Sequence, residues 1–231
     1  MTSLKTTARL TGLAYLGLAG CGAVGFLLVR RQLYVPGDAV ATAANLVAHE
    51  GLARLGVAAD LGVVLTQAVA ALGFFRLFRP VDRLAAGAIA AFGLVNAVVV
   101  LVATMFSATA LEVALAARGT SAGDALLLYD LNAAGWRLGG LFFGLWLIPM
   151  GRAVRRSGHG SSALAVLLVA GGVGYLLSTF LGTLAPAASG LADALVLPAT
   201  IGEFWMIGRL IVARGPSVEQ SARRATADAP S

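Results

Sequence analysis

Six apolar runs recur along the chain, at about residues 10–29, 55–75, 84–106, 126–149, 162–184 and 192–212. Each is close to the ~20 residues that a helix needs to cross a hydrocarbon core. Each is bounded by charge or by Pro and Gly. Lipid offers no water to backbone N–H and C=O groups, so apolar runs of this length must satisfy them internally, as helices. The pattern predicts an all-α protein, a polytopic transmembrane bundle of about six spans. Between the first two runs, Pro36-Gly37-Asp38 precedes AVATAANLVAHEGLARLG. Asp is a strong helix N-cap, and Val40, Ala43, Ala44 and Val47 recur at helical spacing. A short external helix at the membrane interface is expected there. Residues 1–213 are read as one transmembrane domain. Residues 214–231, with little to bury, are read as a disordered cytoplasmic tail. The two halves show no matching internal repeat.

Composition agrees with this picture. Of the 231 residues, 58% are hydrophobic and only 12% are charged, against about 25% charged in soluble domains. The mean hydropathy is +0.86. Too few polar side chains exist to cover a soluble core, so apolar surface must face lipid. The net charge of +6 does not point to nucleic acid, because the basic residues sit in loops and tails between apolar runs. A single cysteine, Cys21, excludes an internal disulfide and a Cys-x-x-Cys site. Leu18-Ala19-Gly20-Cys21 looks like a lipoprotein cleavage box, but the apolar run continues past it to Arg30, which favours an uncleaved span. His49 and His159 fall in different loops, and no metal or cofactor motif is visible. No cofactor is expected.

Charge placement sets the orientation. Lys5, Arg9, Arg76, Arg79, Arg83, Arg152, Arg155, Arg156, Arg209, Arg214, Arg223 and Arg224 fall on one side. Only Arg30, Arg31, Arg54 and Arg118 fall on the other, with Arg137 inside a span. Positive loops stay inside, so both termini are expected in the bacterial cytoplasm, with the chain in the cytoplasmic (inner) membrane.

Polar residues inside spans are costly, at about 2.5–3.5 kcal/mol for Arg or Asp at a helix centre, and are functional candidates by default. Here they are Asp60, Gln67, Asn96, Asp130, Asn132, Arg137 and Glu203. Asp60 and Gln67 are seven apart and share a helix face, as do Asp130 and Arg137. Asp60 and Asp130 lie near the outer ends of their runs. Arg137 and Glu203 lie near the middle of theirs, which predicts an ion pair between the fourth and sixth spans. Local satisfaction of each charge, without any function, is the competing reading. In the external loop, His49, Glu50 and Arg54 could be reactive, but solvated loop residues are the simpler reading. The glycine runs GLAGCGAVG and GGVGYLLSTFLG read as packing surfaces. Gly135/Gly139, Gly140/Gly144 and the Gly174, Ser178, Gly182 ridge would permit close helix approach. They suit a compact bundle and also a homo-oligomer or a membrane partner protein.

Three stretches carry a family resemblance: PGDAVATAANLVAHEGLARLGVAADL at 36–61, LFFGLWLIPMGRAVRRSG at 141–158 and LPATIGEFWMIGRLIV at 197–212. Together they resemble the bacterial membrane family catalogued as domain of unknown function 4386, in order from about residue 8 to 213. The resemblance implies a multi-helix membrane protein without a separate soluble domain, and it implies no activity. It places Asp38, Ala44, Asn45, Glu50, Arg54, Asp60, Gly144 and Glu203 on the family's recurring pattern. Where similar proteins often carry a His in the fourth span, this chain has Asn132, which cannot titrate. Arg137 lies outside that pattern.

Three function classes follow. The first is a non-enzymatic sensing, scaffolding or accessory protein. The second is a transporter of a small solute or protons using Asp60, Asp130, Arg137 and Glu203. The third is an intramembrane enzyme acting on lipid or quinone. Reporter fusions after residues 80, 120, 157 and 231 test the orientation. Cytoplasmic signals are expected at 80, 157 and 231, and a periplasmic signal at 120. A periplasmic signal at 80 or 157 would overturn it.

Overall fold

The computed structural model describes residues 4–116, 122–157 and 161–212, and among these every regular element is helical. The first rod runs as α1 (Leu4–Ala23), a π-helical segment (Val24–Arg30) and a final turn, α2 (Arg31–Leu33). Then come the short α3 (Ala39–Ala48) and the long α4 (Glu50–Phe78), α5 (Arg83–Ala116), α6 (Ala122–Arg156) and α7 (Ser162–Leu184). A 3₁₀ turn (Pro186–Ala188) leads into α8 (Ser189–Leu195) and α9 (Leu197–Val212). This is a multi-pass membrane protein.

Five rods are long and apolar enough to cross a membrane: Leu4–Leu33, Glu50–Phe78, Arg83–Ala116, Ser162–Leu184 and Ser189–Val212. The expected fourth span, α6, falls outside that set because Asp130, Asn132 and Arg137 interrupt its apolar run. At 35 residues and 1.5 Å per residue, α6 is about 50 Å long, and it packs against both α5 and α7. It completes the wall although its composition is the most polar. The expected sixth span is also broken in two near Val196, ahead of Pro198. A Pro has no N–H to continue a helical ladder.

Each rod packs on the next, α1 on α4, then α5, α6, α7 and α9, and α9 returns to α1. The six rods form a closed ring. One end of the ring carries α3. The opposite end carries the start of α1, the α4–α5 turn and the last turn of α6.

Small residues set the spacing between rods. A Cβ on Gly12 would lie 2.8 Å from Leu210 Cβ. On Gly171 it would lie 2.4 Å from Ala199 Cα, and on Gly174 1.9 Å from the Leu195 carbonyl oxygen. Gly144 and Gly172 face each other's carbonyls. Gly93 leaves room for the Trp146 ring, which sits edge-on to Tyr15 and Phe74 in the core.

The helix expected after Asp38 is present. Asp38 Oδ1 accepts from the Ala41 amide at 2.9 Å, and Gly37 turns the chain ahead of it at φ 77°. Its apolar stripe is the outer face, as expected of a helix at the lipid boundary. Thr42 and Leu46 are fully buried, while Val40 and Val47 are 74% and 49% exposed. Beside lipid the apolar stripe faces outward, and a short polar side chain can face the bundle.

At the opposite end, Asp82 ties α5 to α6. It caps α5 by accepting from the Ala85 amide at 3.0 Å. It also pairs with Arg152 at 3.0 Å and Arg156 at 2.7 Å on α6. The Ala85 N–H and then the Arg152 hydrogen bond hold its carboxyl below the usual carboxylate range. The tail expected to be disordered, and also Arg118 and His159, lie outside the described residues.

Candidate functional site

A polar plug closes the ring toward the α3 end. The wide π-helical turn brings Arg30 to the inner face of the first rod, and such turns are frequent at functional sites. Arg30 Nη2 donates to Asn132 Oδ1 at 2.7 Å, and Asn132 Nδ2 donates to the Ala103 carbonyl at 2.7 Å. The Arg30 guanidinium also sits over the rings of Phe26 (4.5 Å) and Trp136 (5.5 Å), a favourable cation–π arrangement. Trp136 Nε1 points to Asp60 Oδ2 at 3.4 Å. Gly25 allows Asp60 to approach, since a Cβ there would lie 3.1 Å from Asp60 Oδ1. Beside the plug, Tyr34 stacks on Tyr129 and donates to Asp130.

Below the plug the ring encloses a cavity of about 260 Å³. All six rods line it: Tyr15, Gly22 and Phe26 on the first, Gln67 on α4, Asn96 on α5, Trp136 and Phe143 on α6, Tyr175 on α7, and Glu203 and Phe204 on α9. The wall is mostly apolar, with Glu203, Gln67, Asn96, Thr200 and the phenols Tyr15 and Tyr175 among its lining. Glu203 faces the space and accepts a hydrogen bond from Tyr15. Asn96 Nδ2 donates to Gln67 Oε1 at 2.9 Å, while Gln67 Nε2 and Asn96 Oδ1 have no protein partner and are buried. An unpaired buried amide donor and acceptor side by side is costly unless something else meets them.

The cavity reaches the surface of the bundle. Phe26 and Phe204 line it and are 43% and 58% exposed. Both lie toward the α3 end from the Gly12–Leu210 contact, so the opening is a seam between α1 and α9. Gly22 lies on the α1 stripe that lines the cavity, and its Cβ direction meets no atom within 4 Å.

The residues singled out from sequence divide in three. Asp60 and Asn132 belong to the plug, with Asp130 beside it. Gln67, Asn96 and Glu203 belong to the cavity. Arg137 belongs to neither. Its neighbour Trp136 takes the inner position, and one step along a helix turns the side chain by about 100°. Arg137 is exposed, with its Cδ 3.8 Å from a Cβ built on Gly182, near the α3 end of α7. The anticipated Arg137–Glu203 pair is therefore not formed. Ion pairs are formed elsewhere among the described residues, by Arg54 with Glu50 and by Arg152 and Arg156 with Asp82. Two of the external-loop residues hold α3 in place: Asp38 caps it, and Asn45 Nδ2 reaches the Leu33 carbonyl at 3.5 Å. Arg54 pairs with Glu50 at 2.7 Å within the exposed first turn of α4. His49 is exposed at the α3–α4 break.

Residues 10–213 match the family described as Domain of unknown function (DUF4386). The chain belongs to that family. No curated protein and no solved structure matches it. Seen on the structure, the resemblance pattern of this DUF4386 chain concentrates on α3, the plug and the cavity. Asp38 and Asn45 fix α3, Glu50 and Arg54 pair at the start of α4, Asp60 stands in the plug, and Glu203 faces the cavity. Gly144 lets α6 meet α7 behind the cavity wall. Tyr15, Arg30, Trp136 and Tyr34 were missed. Arg30 sits at the end of an apolar run and reads as a loop charge, and a Tyr within such a run reads as core.

Removing the Tyr15 hydroxyl should strip Glu203 of its donor. Tyr15→Phe is expected to lower stability by about 1–3 kcal/mol, read as a lower melting midpoint of the purified protein. Adding Glu203→Gln should recover part of the loss, because a neutral amide is cheaper to leave unpaired. An unchanged midpoint in Tyr15→Phe would refute the pairing.

Proposed function

We propose that this protein is a non-enzymatic membrane sensor. It holds a small, mostly apolar ligand with one hydrogen-bonding group in the ring cavity, and it signals that occupancy to a membrane partner protein. The observation that carries this reading is the mid-ring cavity of about 260 Å³, open at the α1–α9 seam, with Glu203 facing its interior. Ligand sites are mostly apolar with a few placed polar groups, and that description fits this wall. The polar set is a carboxyl, two phenols, two amides and the Thr200 hydroxyl, which favours recognition of a ligand over bond cleavage. The seam faces the lipid side, so the ligand would arrive from the bilayer. The basic residues favour a bacterial cytoplasmic membrane with both termini inside, which puts α3 and the plug on the outer side.

A second reading, a carrier, is favoured by one feature. The π-helical segment and the α8–α9 break both flank the cavity on its α3 side, and broken helices are common at transport sites. In that reading the Arg30–Asn132–Asp60 plug is the barrier that the solute must pass.

The test uses 1-aminoanthracene, a flat apolar fluorophore with one amine, and the purified protein in nanodiscs. Saturable fluorescence enhancement is expected with the natural sequence. Gly22→Phe, which fills the cavity from a position with open space, should weaken it about tenfold or more without lowering the melting midpoint. Glu203→Gln should weaken it several-fold. Enhancement that never saturates, or that is equal in Gly22→Phe, would overturn the sensor and the carrier together. Plug-dependent release of a preloaded probe from proteoliposomes would select the carrier.

A further inference from the structure

A second concave site lies at the opposite end of the ring, away from the cavity. The end of α4, the α4–α5 turn and the start of α1 enclose an open basin of about 740 Å³. Arg76, Arg79 and Arg83 form its basic side, and Leu4, Phe75 and Val81 form an apolar side. Arg76 and Arg79 are three apart and share a helix face. The Arg79 guanidinium lies 6.0 Å from the centre of the Phe75 ring. Arg83 opens α5, where the helix dipole also favours an anion.

The one acid on this turn does not serve the basin. Asp82 is turned onto α6, where Arg152, Arg156 and the Ala85 amide occupy it. Arg79 and Arg83 belong to none of the ion pairs among the described residues. The turn therefore separates its charges. Its carboxylate is held by a neighbouring helix, while the Arg79 and Arg83 guanidinium groups line the concavity.

Depth identifies the occupant. The basin sits just beyond the apolar runs of α4 and α5, at the level where lipid headgroups begin. Its basic side suits a phosphate, for which Arg offers a planar fork of donors. Its apolar side, with Leu4 and Val81 exposed, suits the glycerol and first methylenes of an acyl chain. A free phosphate would meet only half of this surface. Basic pockets between transmembrane helices are a known physical solution for anionic headgroups.

We propose that this basin is a binding site for one anionic phospholipid, with its phosphodiester on Arg79 and Arg83 and its glycerol backbone against Leu4, Phe75 and Val81. The site is independent of the cavity and of any ligand bound there.

The test is thermal melting of the full-length protein, delipidated in a neutral detergent, with dioleoyl phosphatidylglycerol, dioleoyl phosphatidylcholine or inorganic phosphate added. Phosphatidylglycerol should raise the midpoint by several degrees at saturation, and the other two should not. The double change Arg79→Gln, Arg83→Gln should reduce that rise to the phosphatidylcholine level. Arg9→Gln with Arg155→Gln, which removes the same charge from the same end, should leave the rise intact. If the Gln pair does not fold, Arg79→Lys with Arg83→Lys keeps the charge and loses the fork, and should weaken the lipid's half-saturation at least threefold. Three results would overturn the proposal. One is an equal rise with phosphatidylcholine. Another is a rise that inorganic phosphate reproduces. The third is a rise that the Arg9/Arg155 control loses as fully as the Arg79/Arg83 variant.

Discussion

The contact on which the rest of the structure depends is the return of α9 to α1. It joins residues about two hundred positions apart and turns a row of helices into a ring. Lipid supplies no hydrophobic drive between helices, so this closure must come from close packing and hydrogen bonds. Both are present at the seam. Gly12 lets Leu210 and Ile211 approach the α1 backbone, and one turn deeper Tyr15 donates to Glu203. Without this closure the cavity would have five walls, and Glu203 would face hydrocarbon.

The polar groups then sort by depth. Charges with opposite partners occupy the ends, as with Asp82 between Arg152 and Arg156. Arg30, Asn132 and Asp60 form a hydrogen-bonded layer toward α3. At the cavity the groups become fewer, and two amide atoms stay unpaired. Polar groups that are fully satisfied fix packing, whereas the cavity combines open volume with a carboxyl, Glu203, that lines it. That contrast separates the plug, which reads as structure, from the cavity, which reads as a site.

Much of this was legible in the sequence. Run length and bounding charges identify the helices, and Asp38 after Pro36-Gly37 identifies α3. Depth and facing were less legible. Arg137 lies midway along its apolar run, yet α6 overhangs α7, so the middle of the run is not the middle of the ring. The spacing of Val40 and Val47 marks a helix but not which face it buries: beside lipid the apolar face is the outer one, and Thr42 and Leu46 turn inward. The π-helical segment left no mark, because GFLLV reads the same in either helix type. Yet that segment brings Arg30 onto Asn132. The acid of the cavity was visible as Glu203, but its partner Tyr15 was not, since a phenol within an apolar run carries no charge to attract notice.

Ring closure is the claim most open to direct attack. Cysteines placed at Gly12 and Leu210, in a chain with Cys21→Ser, should form a disulfide under mild oxidation in native membranes. The facing Cβ positions there are already at contact distance, inside the reach of a disulfide after a small shift. The account predicts rapid, near-complete crosslinking within one chain, seen as a faster-migrating monomer band. No crosslink, in a variant that still folds and inserts, would mean that α9 does not return to α1, and the enclosed cavity would fall with it.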